Sequence, residues 1–75
     1  MKIEYLVKMA NEVGLFFASE PDPEAAATAV AGHLRRFWEP RMRAQIVAHQ
    51  AQGGAGLSDL ARRAVAKLAA ETTPA

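Results

Sequence analysis

The sequence contains no cysteine, so neither a disulfide framework nor a thiolate metal site can stabilise this chain of 75 residues. It also lacks an excess of either charge, because nine Lys and Arg residues balance eight Asp and Glu residues. A dedicated nucleic-acid-binding domain usually carries a clear basic excess, so the overall charge disfavours that class. No apolar run of the sequence approaches the roughly 20 residues that a transmembrane helix requires.

The N-terminal residues Met1-Lys2-Ile3-Glu4-Tyr5 carry an early acidic residue and show no small-residue cleavage site. This pattern is not that of a secretory signal, and we expect a soluble, cytoplasmic protein. A chain of this length buries only about 60% of the surface that its unfolded form exposes, so its core is small. Without cysteine, we expect it to depend on good helix packing, on self-association or on a partner chain.

Alanine is abundant and β-branched residues are few, which favours helix throughout because alanine loses no side-chain rotamer freedom. The sequence predicts an all-α fold, a small bundle of about four short helices joined by turns that proline and glycine mark. The predicted helices span residues 3–18, 23–37, 40–52 and 59–70. Residues 1–70 would form a single domain, and residues 71–75 would form a frayed C-terminal tail.

The predicted helix ends depend on residues with a known preference for such positions. Asp22 and Ser58 suit N-caps, and Pro23 and Pro40 suit the first position of a helix. The glycine-rich segment at 53–56 can close the third helix, because glycine adopts the left-handed conformation readily. Gly14 lies inside the first helix, where it either lets another helix approach closely or weakens the last turn.

Apolar residues at helical spacing predict one inward face for each helix. These faces comprise Ile3, Leu6, Val7, Ala10, Val13 and Phe17 in the first helix; Ala26, Ala29, Val30, His33, Leu34 and Phe37 in the second; Met42, Ile46, Val47 and Ala51 in the third; and Leu60, Ala61, Ala64, Val65 and Leu68 in the fourth.

The residues that could carry chemistry do not form a recognisable catalytic or metal-binding pattern. His33 and His49 are the only histidines, and a metal site needs three or four converging ligands. The glycine-rich segment follows no predicted strand and lacks the Lys-Ser/Thr pair of a phosphate-binding loop. Ser19 and Ser58 stand at helix ends, where hydroxyl groups commonly cap. We therefore expect a protein without an active site, a cofactor, a metal or a small-molecule substrate of its own.

The segment Arg35–Arg43 is the clearest candidate for function. It contains four of the nine basic residues, the only tryptophan and a helix junction. Protein interfaces are enriched in Trp, Arg, Met and Phe, and binding hot spots favour Trp and Arg. The sequence therefore predicts a partner-binding surface that comprises Arg35, Arg36, Phe37, Trp38, Glu39, Arg41, Met42 and Arg43.

Within this segment we expect Phe37 to face the bundle, and the arginines and Trp38 to face outward. Two alternatives use the same residues. A small nucleic-acid-binding regulator could use the mixture of basic and aromatic side chains, with the second and third helices mimicking a helix-turn-helix. A self-associating helical module is the other alternative.

Three stretches of the sequence resemble one known family. The stretch His33-Leu34-Arg35-Arg36-Phe37-Trp38-Glu39-Pro40-Arg41-Met42-Arg43 resembles a signature of the delta subunit of soluble NAD-dependent formate dehydrogenases. Residues 6–17 are similar to the N-terminal segment of that family, and the segment Gly53-Gly54-Ala55-Gly56-Leu57-Ser58 matches a third patch in order and spacing. The resemblance covers roughly residues 3–68.

The resemblance implies an accessory subunit of a multi-subunit enzyme whose large subunit holds a molybdenum or tungsten pterin centre. Other subunits of such enzymes carry iron–sulfur clusters and flavin, whereas the delta subunit binds none of these groups. The family thus implies a role in assembly or stability of the active complex, and we hypothesise that the chain binds the large, pterin-carrying subunit and supports assembly, cofactor insertion or stability. The family implies no nucleic-acid, membrane or small-molecule ligand, and self-association remains an option for the isolated chain.

Overall fold

A computed structural model describes residues 2–72, which contain four helices and no strand. The helices are α1 (Ile3–Phe16), α2 (Pro23–Phe37), α3 (Pro40–Ala51) and α4 (Asp59–Thr72). The predicted all-α class is therefore confirmed. The most extensive contact joins α2 to α4, and α1 contacts each of the other three helices.

The helix bounds differ from the predicted ones by no more than two residues. The helix α1 ends at Phe16 instead of residue 18, and its last turn closes through a hydrogen bond from the amide of Phe17 to the carbonyl of Val13. The helix α4 continues through Glu71 to Thr72, two residues beyond its predicted end. The remainder of the predicted tail, residues 73–75, lies outside the described residues.

Both predicted side-chain caps are present. The carboxylate of Asp22 accepts a hydrogen bond from the amide of Glu24 at 3.1 Å, and Pro23 occupies the first turn of α2. The hydroxyl of Ser58 accepts a hydrogen bond from the amide of Ala61 at 3.2 Å. These bonds satisfy amide groups that have no partner within the helix, which fixes where α2 and α4 begin.

The connection between α3 and α4 has the left-handed backbone that its glycines predict. The φ angles of Gly53, Gly54 and Gly56 are 116°, 64° and 87°. The side chain of Asn11 ties α1 to this connection, because its amide donates to the carbonyl of Gly56 and its oxygen accepts from the amide of Ser58, both at 2.9 Å. One residue of α1 thus fixes the position of the α3–α4 turn.

The core lies between the four helices and the α3–α4 turn. Its buried members are Leu6, Ala10, Ala27, Val30, Ala31, Leu34, Trp38, Ile46, Leu57, Ala61, Ala64, Val65 and Leu68. The inward faces predicted for α1 and α4 are largely confirmed, with Ile3, Val7, Val13, Phe17 and Leu60 partly buried at the edge. Gly14 is buried where α1 faces the start of α4, but an added Cβ would lie 3.8 Å from the Ser58 hydroxyl, an ordinary contact distance, so this packing does not require glycine.

The inward face predicted for α2 was wrong at its C-terminal end. Ala27 and Ala31 are buried together with Val30 and Leu34, whereas Phe37 is exposed. The buried face of α2 thus includes the small side chains of Ala27 and Ala31. Small side chains permit close helix packing, and α4 is the helix that α2 contacts most extensively. In α3, Ala51 is likewise exposed, although it was predicted to face inward.

Candidate functional site

Trp38 belongs to the core, which corrects the expectation that it faces a partner. Its side chain is only 5% exposed. The reason is that α2 ends at Phe37 and Trp38 adopts an extended backbone, with φ −89° and ψ 139°. Helical periodicity therefore no longer decides the direction of its side chain, and the indole ring turns back into the bundle.

Phe37 shows the opposite error, since it was predicted to face the bundle and is 70% exposed. It is the last residue of α2, and its ring lies against the His33 ring one turn earlier, with centroids 4.7 Å apart. The burial predicted for the two aromatic residues is thus reversed, because Trp38 is buried and Phe37 is exposed. Of the two, Phe37 is the aromatic residue that a partner can reach.

Two of the four arginines in the segment Arg35–Arg43 bind within the chain. Arg43 is half-buried, and its guanidinium donates to the backbone carbonyls of Arg35 and Trp38, both at 2.8 Å. These bonds satisfy carbonyl groups at the C-terminal end of α2. Arg35 forms an ion pair with Glu71 of α4. The expectation that Arg43 points outward is therefore wrong, because its charge stabilises a helix end.

The remaining predicted residues are distributed between surface and core edge. Arg36 and Arg41 are exposed, and neither side chain forms a hydrogen bond or ion pair with any residue that the structure describes. Glu39 is exposed at the start of α3, and Met42 is partly buried against the core. The basic surface of this segment is thus smaller than its sequence indicated, and it consists mainly of Arg36 and Arg41.

An aromatic strip, which we define as Phe16, Phe17, His33 and Phe37, crosses the surface from α1 to α2. The ring centroids of Phe16 and Phe17 are 5.2 Å apart, and those of Phe17 and His33 are 6.3 Å apart. Phe16 was not among the predicted site residues, although it falls outside the predicted apolar face of α1. A large apolar side chain outside the inward face was the signal in the sequence that could have identified this surface.

His49, which was a candidate metal ligand, and Arg62 of α4 both hold the α3–α4 turn. The ring of His49 donates to the carbonyl of Ala55 at 2.8 Å, and Arg62 donates to the carbonyl of Gly53 at 2.7 Å.

Within residues 2–72 there is no group of three or more His, Cys, Asp or Glu side chains that could hold a metal ion. Across the same residues, each helix is too short or too polar to cross a lipid bilayer.

A model of the protein family described as "NADH-dependant formate dehydrogenase delta subunit FdsD" matches residues 5–65. The chain belongs to this delta-subunit family. The match extends from α1 into α4, and it includes both the aromatic strip and the segment Arg35–Arg43. No curated protein and no solved structure gave a match.

Membership of the delta-subunit family confirms the resemblance found in the sequence. It identifies the chain as a delta subunit of an NAD-dependent formate dehydrogenase, a complex of several subunits. A subunit of a complex needs a surface that contacts its neighbours. In the part of the delta subunit that the structure describes, the exposed Phe37 and the unpaired Arg36 lie in the last turn of α2, and the unpaired Arg41 lies in the first turn of α3.

Proposed function

We propose that this chain is a non-catalytic accessory subunit that binds the large, pterin-carrying subunit of the formate dehydrogenase. In this role it supports assembly, cofactor insertion or stability of the enzyme. The observation that carries the proposal is the exposure of Phe37 beside the unpaired Arg36, in a chain whose family is defined by a multi-subunit enzyme.

The composition of this surface supports binding to a protein. Aromatic and arginine side chains are enriched in interfaces, and they account for much of the binding energy where the partner excludes water. Arg36 and Arg41 flank Phe37 and the α2–α3 junction with positive charge, which favours an acidic partner surface. Unlike Arg35 and Arg43, these two arginines have no bond within the described residues that binding would have to break.

The polar side chains of the bundle support a non-catalytic role. Asp22 and Ser58 cap helices, Asn11 connects α1 to the α3–α4 turn, and His49 binds a backbone carbonyl. Each of these groups is engaged in holding the backbone. A catalytic site would instead need a nucleophile or base within reach of a bound substrate.

Binding to the large subunit can be measured directly with purified proteins. We expect the double variant Arg36→Glu plus Arg41→Glu to bind the large subunit at least about tenfold more weakly than the wild type. The matched control is Lys8→Glu plus Arg63→Glu, which changes the net charge equally at exposed positions of α1 and α4. Equal binding by both variants would contradict a role of Arg36 and Arg41, and failure of the wild type to bind would contradict the proposed function.

Co-expression of the enzyme with and without this chain distinguishes the three forms of support. Metal and pterin content should be measured separately from activity and from the half-life of activity. Low cofactor content without the chain indicates a role in insertion, and full content with rapid loss of activity indicates stabilisation. An enzyme that assembles, loads and persists equally well without the chain would contradict all three.

A further inference from the structure

The aromatic strip leaves more apolar surface exposed than a small bundle needs. Phe16 is 80% exposed and Phe37 is 70% exposed, so neither contributes much to the core. Phe17 and His33 lie between them and are partly buried. Since most exposed apolar residues of soluble proteins are scattered, a contiguous row of rings on two helices indicates a surface that another chain covers.

Two shallow depressions flank the strip and share His33. One is lined by Met9, Glu12, Val13, Phe16, His33 and Trp38. The lining of the other includes Phe17, His33, Arg36 and Phe37. The rings that line the two depressions are the apolar surface that another molecule would contact.

The two depressions carry opposite charges at their rims. Glu12 lies on the α1 side and Arg36 lies on the α2 side. Neither side chain has a hydrogen bond or ion pair with a residue in the described range 2–72. The strip thus offers an apolar centre, one anionic end and one cationic end, which together specify both the composition and the direction of a bound segment.

We propose that the aromatic strip binds an amphipathic segment of the large formate dehydrogenase subunit. That segment carries apolar side chains in its centre, a basic residue opposite Glu12 and an acidic residue opposite Arg36. This inference rests on the proposed function and extends it to α1, since Phe16, Phe17 and Glu12 lie outside the segment Arg35–Arg43. The occupant follows from continuity, because Arg36 and Phe37 belong to both surfaces and one partner would cover them together.

The apolar part of the strip is tested by Phe16→Ser plus Phe37→Ser. Both side chains are mostly exposed, so the variant should fold, which far-ultraviolet circular dichroism and a thermal melt verify. We expect it to bind the large subunit about 30-fold more weakly or worse, as for the loss of interface hot spots. The control is Tyr5→Ser, which removes another exposed aromatic ring, 54% exposed, outside the strip.

The outcomes separate this inference from the proposed function. Wild-type binding that both serine variants retain would overturn the inference and leave the proposed function intact. Absence of wild-type binding to the large subunit would overturn both. Loss of binding in the strip variant alone, with normal binding by Tyr5→Ser, is the expected result.

A charge exchange distinguishes the large subunit from a second copy of this chain. The double variant Glu12→Lys plus Arg36→Glu keeps the net charge and places each charge at the opposite end of the strip. Two copies related by a two-fold axis could pair Glu12 with Arg36 reciprocally, and the exchanged charges would pair again. A foreign segment would instead meet two like charges.

We therefore expect the exchanged variant to bind the large subunit about tenfold more weakly or worse, with each single variant intermediate. Sedimentation of the isolated chain over a range of concentrations provides the second measurement. Self-association that persists in the exchanged variant and is lost in Phe16→Ser plus Phe37→Ser, with unchanged binding to the large subunit, would overturn the inference. It would show that the strip is an interface between copies of this chain.

Discussion

The guanidinium group of Arg43 donates a hydrogen bond to the backbone carbonyl of Trp38 at 2.8 Å, while the indole ring of Trp38 fills the core between the helices. The same guanidinium group binds the carbonyl of Arg35. The Arg43 side chain of α3 therefore binds carbonyl groups at the end of α2 and holds Trp38, the first residue after that helix, in place. The segment Arg35–Arg43 thus contributes to the stability of the fold as well as to the exposed surface.

Replacement of Trp38 by alanine is expected to lower the free energy of unfolding by about 3–5 kcal/mol, because it removes a buried aromatic side chain and leaves a cavity. In a bundle of this size that loss is a large part of the total stability. The matched variant Phe37→Ala should change stability by no more than about 0.5 kcal/mol, because its ring is exposed. Urea denaturation followed by circular dichroism measures both. A larger loss for Phe37→Ala than for Trp38→Ala would contradict the assignment of Trp38 to the core.

Replacement of Arg43 by alanine is expected to lower the free energy of unfolding by about 1–3 kcal/mol. The half-buried carbonyl of Trp38 would lose its bond to a charged donor. Arg41→Ala is the control, since Arg41 is exposed on the same helix and has no bond to a described residue. Thermal melts of the two variants decide the point, and equal melting temperatures would show that the Arg43 bonds contribute nothing to stability.

Much of the fold could be predicted because local signals and periodicity agree. Asp22 with Pro23, the glycines at 53–56 and Ser58 each specify a helix end by their own stereochemistry, and the structure contains all of these ends. The regular stripes of α1 and α4 could likewise be read from spacing. These features depend on residues that are close together in the sequence.

The candidate site could be predicted only in part, because its geometry depends on where a helix stops. Phe37 is the last residue of α2 and Trp38 is the first outside it, so one residue decides which ring enters the core. The bonds of Arg43 to carbonyls and of Asn11 to a turn more than 40 residues away follow from tertiary packing. Periodicity along a single helix contains no information about either.

Replacement of Asn11 by alanine is expected to lower the free energy of unfolding by about 1–2 kcal/mol. The carbonyl of Gly56 and the amide of Ser58 would lose their partner, and the α3–α4 turn would lose its bond to α1. Asn11→Asp should be intermediate, because a carboxylate still accepts from Ser58 but cannot donate to Gly56. Hydrogen exchange of the turn amides, together with urea denaturation, tests this ranking. Full stability of Asn11→Ala would show that solvent replaces both bonds without cost.

Two glycines of this chain should respond to alanine in opposite directions. At Gly56, φ is +87° and an added Cβ would lie 3.2 Å from Cγ1 of Val7, so alanine meets both backbone strain and crowding. We expect Gly56→Ala to lower the free energy of unfolding by about 1–3 kcal/mol.

Gly14 lies within α1 with helical backbone, and an added Cβ would be 3.8 Å from the Ser58 hydroxyl and 3.9 Å from the Ala61 amide, which are ordinary contact distances. Alanine has a higher helix propensity than glycine by about 1 kcal/mol, so Gly14→Ala should raise the free energy of unfolding by about 0.5–1 kcal/mol. Urea denaturation of the two variants measures the difference. A loss of stability in Gly14→Ala as large as that in Gly56→Ala would mean that packing of α1 against α4 requires glycine at this position.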